Sequence, residues 1–319
     1  MKSINWQPTA SLINLKKRAQ WIASIRAFFA ERRILEVETP LLSQHTVTDP
    51  HIQSFVTEFI APPLSKKFHL QTSPEYAMKR LLANGSGPIY QICKAFRNGE
   101  VGAQHNPEFT MLEWYRPSFT HHDLMQEVDE LIQTILQTKS AERCSYQNLF
   151  LTHLEFDPFT ISTTELQKYV QHHCHYKNKL THDDALNLLL AHCIEPTLGQ
   201  TRPIFIYDFP VSQSALARIR NDTPPVAERF ELYFKGKEMA NGFCELTNAD
   251  EQFARFQHDQ NTRQRLQRPI PEIDLRLISA LRAGFPECAG VALGIDRLMM
   301  LALEASHIKE VITFNFDTA

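Results

Sequence analysis

The alternation of apolar and polar positions is clearest between Phe96 and Tyr115, in FRNGEVGAQHNPEFTMLEWY. It predicts two antiparallel strands joined by a polar loop of Gly, Gln, His, Asn and Pro. In the second strand a period of two places Phe109, Met111, Glu113 and Tyr115 on one face and Thr110, Leu112 and Trp114 on the other. Leu112 and Trp114 are the expected core face. The opposite face mixes an aromatic plate, a carboxylate and a phenol, with Arg97 reaching in from the neighbouring strand. Such a face suits a ligand cleft, in which the Phe stacks on a base, the Arg binds an anion and the Glu a cation. It equally suits a partly covered sheet face with an internal Arg–Glu pair.

Residues 12–33 carry an amphipathic helical pattern, with Leu15, Ile22, Ile25 and Phe29 on one stripe and Ser11 as N-cap. Ile34 to Thr39 then reads as a strand ended by Pro40. A second helix opens at Gln71–Tyr76, with Ser73 as cap, Pro74 at the first position and Gly85 as stop. Glu75 in its first turn complements the helix dipole. A further helix is expected over Asp123–Gln137. From 140 to 202 the chain is His-rich and helical in tone, which predicts a helical insertion. Its His172-His173-Cys174-His175 run has adjacent ligand types and no acidic support, so it reads as surface helix rather than as a metal site.

Strand character returns at Ile204–Tyr207, followed by a hairpin whose two-residue turn is Lys235-Gly236. In that register Tyr233 faces Glu238 and Glu231 faces Ala240, so Glu231 and Glu238 are diagonal neighbours, roughly 7–8 Å apart. Two carboxylates so placed repel unless a cation or a proton lies between them, although exposed Glu pairs are also common on hairpins. The last patterned stretch is Ala289–Arg297, running into a helix over Leu298–Ala305. Small residues at Gly290, Ala292 and Gly294 let a ligand approach the backbone. Arg297, in the first helical turn, is unfavourably placed against the dipole. Either an anion or Asp296 offsets it.

Composition narrows the class. At 319 residues, with 43% hydrophobic and 22% charged content, the chain is expected to be a soluble globular protein of one or two domains. The N-terminal MKSINWQPTA has no apolar run of a signal peptide, and the apolar run from Gly290 to Ala305 is broken by Asp296 and Arg297 and too short to span a bilayer. Six cysteines without a Cys-x-x-Cys pair read as free thiols in a reducing cytoplasm. A net charge of −3 argues against a general nucleic-acid binder.

FRN…HNPEFTMLEWY resembles motif 2 of the class II aminoacyl-tRNA synthetases, in the form carried by the lysine enzymes. The helix and Pro-ended strand of residues 12–40 resemble motif 1, and Ala289–Arg297 resembles motif 3, with Ala292 where that motif usually has glycine. Asn241-Gly242-Phe243-Cys244-Glu245 is similar to the family's Asn-Gly-Phe-x-Glu signature. The implied fold is α+β: a class II catalytic fold, mainly antiparallel sheet flanked by helices, over residues 1–319 with the insertion at 140–202. Motif 1 begins within a dozen residues of Met1, so no anticodon-binding OB-fold is expected.

The resemblance also implies a site. Arg97 and Arg297 are the implied catalytic residues, clamping the α-phosphate and the γ-phosphate of ATP. His105, Asn106, Phe109 (stacked under adenine) and Glu238 complete the ATP contacts, and Glu231 and Glu238 chelate Mg²⁺. For the amino acid, Glu75 meets an amino group, Glu113, Tyr115 and Glu245 hold the distal ammonium, Asn241 helps Arg97 with the carboxylate, and Ala292 lines the pocket. Strict alternation would put Asn241 and Glu245 on the face opposite Glu238, so a β-bulge between Glu238 and Asn241 is predicted. The family's Phe-Arg-x-Glu is altered, with Gly99 at the Glu position and Glu100 one place later.

The missing OB-fold resembles truncated paralogues of the lysine enzymes. That likeness implies a cytoplasmic, homodimeric ligase that activates (R)-β-lysine with ATP and Mg²⁺ as an aminoacyl-adenylate. It would then transfer the residue to a lysine of elongation factor P, with neither tRNA nor membrane as partner. A truncated synthetase that still charges tRNA and a non-catalytic lysine or nucleotide sensor are the rival readings.

Overall fold

The computed structural model describes residues 6–319. The chain divides into two compact units. One comprises residues up to Ser118 with 247–287 and 292–319, the other 119–246 with 288–291.

The first unit opens with α1 (Leu12–Glu31), whose Ser11 cap accepts a hydrogen bond from the Asn14 N–H. Ile25 and Phe29 of the expected stripe are buried with Phe28, while Leu12 and Ile13 at the start are exposed. The strand expected over Ile34–Pro40 is shorter. Only β1 (Leu35–Glu36) finds a ladder partner, beyond which the Val37 N–H adds one bond to Tyr90. A small antiparallel sheet follows, β2 (Leu42–Ser43), β3 (Val56–Ala61) and β4 (Leu64–Leu70), in the order β2-β4-β3. In α2 (Glu75–Ala83), Pro74 is the cap residue rather than the first helical one, and Ser73 Oγ accepts from the Glu75 N–H at 3.4 Å.

The pair expected around motif 2 is present as β5 (Ile89–Phe96) and β6 (Glu108–Pro117), antiparallel, with β1 parallel to β5 on its far side. Leu112 and Trp114 are fully buried on the predicted core face. There Phe29 of α1 stacks on Tyr90 at 4.3 Å and meets Trp114 edge-on at 5.3 Å. Three large rings so interlocked bury several hundred Å² and anchor α1 to the strand pair. The opposite face is covered as well, since Met111, Glu113 and Tyr115 are all buried.

The second unit begins with α3 (His121–Leu136), which starts two residues before Asp123 because Thr120 and Asp123 close a capping box. The stretch expected to be helical throughout opens instead with a strand, β7 (Glu142–Ser145), parallel to β8 (Ile204–Pro210). Four residues with one hydrophobe carry too little alternation to announce a strand. Then come α4 (Tyr146–Leu154), α5 (Thr163–Cys174) and α6 (His182–Leu189), the last running into a π-turn at Leu190–Ile194. Their core (Tyr146, Phe150, Leu166, Leu186, Ile194) is continuous with Ile206, Phe209 and Tyr233 of the sheet. His172 and His173 lie on the exposed last turn of α5.

The sheet is completed by β9 (Ile219–Arg220), β10 (Val226–Phe234) and β11 (Lys237–Cys244), ordered β11-β10-β8-β7 with β9 also on β10. Lys235 and Gly236, with φ of 49° and 69°, form the expected two-residue turn.

In the last part of the chain, α7 (Ala249–Arg265) and α8 (Leu275–Gly284) belong to the first unit. Next are β12 (Cys288–Gly294) and α9 (Ile295–Ala302), a helix that starts three residues earlier than its sequence pattern suggests. Among the described residues no helix is long and apolar enough to cross a membrane, and all six cysteines are free thiols.

Candidate active site

In the first unit the loop after β5 carries Arg97, whose guanidinium lies 5.2 Å over the Phe109 ring. That contact holds the cation beside the aromatic plate and leaves its side chain 30% exposed. Gly99 adopts φ +88°, a backbone that a glutamate would strain, which accounts for the altered residue in Phe-Arg-x-Glu. Glu100 lies one place later, with its carboxylate 4.0 Å from the Arg97 guanidinium. Asn106 is committed to the main chain: its amide nitrogen donates to Glu108 O at 2.7 Å and its oxygen accepts from Phe316 N–H at 2.9 Å. It therefore shapes the loop.

Arg297 occupies the third residue of α9, and its Nη2 meets Nε2 of His105 at 2.5 Å. Asp296 does not balance Arg297. Its carboxylate accepts from the Thr110 N–H at 2.7 Å and pairs with Arg18 of α1 at 2.7 Å, with both side chains largely buried. Arg18 also donates to Thr110 Oγ1 at 2.9 Å. One carboxylate thus ties the start of α9 to β6 and α1. Partial desolvation, and then the Arg297 charge, hold the His105 pKa below its ordinary value.

On β6 the buried Glu113 accepts from the Tyr115 hydroxyl at 2.7 Å. Burial, reinforced by the Glu113 charge, pushes the neighbouring Cys93 thiol up to about 12, so it stays neutral. Glu75 on α2 accepts from the buried Lys79 ammonium at 2.6 Å. Ala292 is half-buried near the end of β12.

The second unit holds Glu231, Glu238, Asn241 and Glu245. Tyr233 pairs with Glu238 as expected, but the register then shifts by one, so that Leu232 pairs with Ala240 and Glu231 with Asn241. Met239 is the extra residue. This is the predicted bulge, and it moves the partner of Glu231 from the expected Ala240 to Asn241. Because cross-strand partners share a face, Arg229, Glu231, Tyr233, Glu238, Asn241 and Phe243 all lie on one side of the hairpin. Gly242 faces the other way, where a Cβ would come within 2.3 Å of the Phe230 ring and 3.0 Å of Gly290 O. Buried Glu245 follows β11, its N–H bonded to Cys288 O at 2.9 Å and its strand bridged to Ala217.

Glu231 accepts from the Tyr233 hydroxyl at 2.7 Å and is paired with Arg229. Burial, then the charges of Glu231, Glu238 and Glu195, raise the Tyr233 pKa far above its usual value. A neutral phenol among carboxylates marks a place where negative charge is concentrated. Such a set suits a hard dication that takes one or two protein carboxylates and completes its shell with phosphates and water.

The sequence reading missed Arg229, Tyr233, Lys79, Arg18 and the outward role of Asp296. Arg229 and Tyr233 share the alternation of Glu231 and could have been found from it. Lys79, four residues after Glu75, could have been found as a helical i,i+4 pair.

The strand pair, the bulged hairpin and the strand-to-helix turn are the elements on which the expected charged residues lie. The chain belongs to the family of class II tRNA synthetases for D, K and N, whose pattern it matches over residues 4–318. It is 54% identical to the elongation factor P–(R)-β-lysine ligase of Photobacterium profundum, over 98% of this chain and 99% of that one. The proteins of the same name from Mannheimia succiniciproducens (53% identical, 98% of each chain) and Haemophilus ducreyi (50% identical, 100% of this chain and 98% of that one) are similar over the same extent.

Proposed function

We propose that the protein is a cytoplasmic ligase that uses ATP to activate (R)-β-lysine as an aminoacyl-adenylate and transfers it to a lysine side chain of elongation factor P. The observation that carries this reading is the bulged hairpin, which turns Glu231, Glu238 and Asn241 to one face. Three relatives that share half or more of their residues with this chain over nearly full length bear the name of that activity. Residues 1–319 act as one catalytic domain, with 140–202 as an insertion.

In the first step the lysine carboxylate attacks the α-phosphorus and pyrophosphate leaves. Arg97 and Arg297 supply fixed positive charge where the phosphate oxygens become more negative, so each contact strengthens in the transition state. Phe109 offers its ring to adenine, His105 holds Arg297 on its donor side, and Asn106 keeps the loop in shape. Glu231 and Glu238 would hold Mg²⁺, which supplies neutralising charge on the phosphates when bound. Glu113, with its Tyr115 hydrogen bond, and Glu245 receive the distal ammonium. Glu75 receives the other amine in exchange with Lys79, and Asn241 meets the carboxylate.

In the second step the acceptor amine attacks the adenylate carbonyl, forming the amide and releasing AMP. An unperturbed lysine, pKa ~10.4, costs about 4–5 kcal/mol to deprotonate at pH 7, so the transfer rate should rise with pH. We assign a homodimer to residues 12–40, where Leu12, Ile13 and Leu35 are exposed.

The deciding experiment is ATP–pyrophosphate exchange with (R)-β-lysine and with α-lysine, followed by transfer of labelled adenylate to elongation factor P and to tRNA side by side. Exchange favouring the β isomer and labelling of the protein are expected. Preferential charging of tRNA would establish the synthetase reading instead, and no exchange with any diamino acid would establish the sensor.

A further inference from the structure

The guanidinium of Arg229 uses every direction of its fork. Its Nε donates to Asn241 Oδ1 at 3.2 Å, its Nη1 to Gln213 O at 2.8 Å, and its Nη2 to the Glu231 carboxylate. Its Cζ lies 4.5 Å over the Phe209 ring, which fixes the plane of the fork, and the side chain is only 16% exposed. Arg229 therefore bridges two neighbours on the bulged face, the carboxylate assigned to the metal and the amide assigned to the substrate.

The chemistry of this bridge is one-sided. Arginine has five N–H donors and no acceptor, and it keeps its charge at any physiological pH. An asparagine beside it must turn its carbonyl oxygen inward to accept. The Asn241 NH₂ is then left to face outward, and an outward NH₂ can serve an acceptor such as a carboxylate but not an ammonium. A lysine at position 229 would keep the charge next to Glu231 but, having a compact head, could not reach three separate acceptors in one plane.

We infer that Arg229 is a positioning residue for amino-acid recognition: it locks Asn241 with its amide nitrogen toward the substrate carboxylate while holding Glu231 in the same bridge. This rests on the proposal above that Asn241 meets that carboxylate. Arg229 itself touches no substrate in this scheme. It acts through Asn241, which sets the polarity of the site, and through Glu231, so that the substrate contact and the metal carboxylate share one anchor.

The test is the affinity for (R)-β-lysine, measured by calorimetry without ATP so that no turnover enters. Asn241→Ala should weaken binding by about 10-fold to 100-fold, the usual worth of a hydrogen bond to a charged group. Arg229→Met should weaken it to a similar extent, and the double variant should be no weaker than about 2-fold below the worse single one, because both remove the same contact. Multiplying losses in the double variant would overturn the inference and leave the role of Asn241 standing. Unchanged affinity in Asn241→Ala would instead overturn the substrate role of Asn241, and the inference with it. Should Arg229→Met fail to fold, Arg229→Lys carries the test. It is expected to melt normally yet retain most of the β-lysine loss, whereas full affinity in Arg229→Lys would show that only charge matters and would overturn the orienting role.

Discussion

Arg297 donates to Nε2 of His105 across 2.5 Å, and this contact fixes the protonation state of the imidazole. A guanidinium only donates, so Nε2 must offer its lone pair and the ring is neutral, with its proton on Nδ1. Partial desolvation and the neighbouring arginine charges hold its pKa below 6.5. A histidine depressed in this way contributes stability that is fully present above its unfolded pKa and is lost as pH falls through the folded one. In an NMR titration the His105 ring should show a midpoint below 6.5 that moves upward in Arg297→Ala. A midpoint at or above 6.5 in the parent protein would contradict the contact.

Arg97 and Arg297 should be the two most sensitive positions for adenylate formation. Removing one preorganised donor from a developing oxyanion costs about 10²–10³-fold in rate. Arg97→Ala and Arg297→Ala are each expected to lose at least this much in pyrophosphate exchange while keeping their fold by circular dichroism. Near-normal exchange in either variant would remove it from the phosphate site.

The Arg18–Asp296 pair, with side chains 13% and 3% exposed, should matter more to stability than any surface ion pair. Arg18→Met leaves the Asp296 carboxylate inside without its cation, which typically costs about 3–5 kcal/mol. Replacing both partners, as in Arg18→Met with Asp296→Leu, should recover part of that loss in urea titrations. A double variant less stable than Arg18→Met would mean that the Asp296 bond to Thr110 outweighs the ion pair.

Ala292 is expected to bias the choice between lysine isomers. α-Lysine and β-lysine share both ends and differ in the position of the second amine, so the discriminating contact lies in the middle of the substrate. One methyl in a pocket is worth about 10–200-fold. Ala292→Gly should shift kcat/KM toward α-lysine by about tenfold. An unchanged ratio for the two isomers would leave Ala292 as strand packing.

Which face each of these residues takes is largely legible in the sequence, and for a definite reason. Period-two alternation in 109–115 assigns faces directly, and the Lys235-Gly236 turn sets the hairpin register from one end. Even the bulge was readable, because Glu238 and Asn241 could not otherwise share a side. Its reach was not: the shifted pairing of Glu231 depends on where the extra residue sits. Contacts that join remote segments left no local trace. Asp296 meets Arg18, 278 positions earlier, and Arg229 meets a carbonyl at Gln213. Strand β7 was missed because pairing with β8, rather than its own pattern, makes it a strand.

Met239 shows that part of the catalytic design resides in counting. It is buried and takes no part in the chemistry proposed above, and as the residue without a cross-strand partner it is what the bulge absorbs, so that the residues after it keep the face of Glu238 in alternation. Swapping Met239 for another hydrophobe of similar size alters packing alone. Removing it would leave Glu238 and Asn241 two positions apart, so that regular alternation alone keeps Asn241 and Phe243 on the side of Glu238, and the bulge with its stronger local twist is no longer needed. Removing Met239 and Ala240 together would make Glu238 and Asn241 adjacent, and adjacent strand residues point to opposite faces, so in regular pairing a two-residue deletion acts like the simultaneous loss of several functional groups.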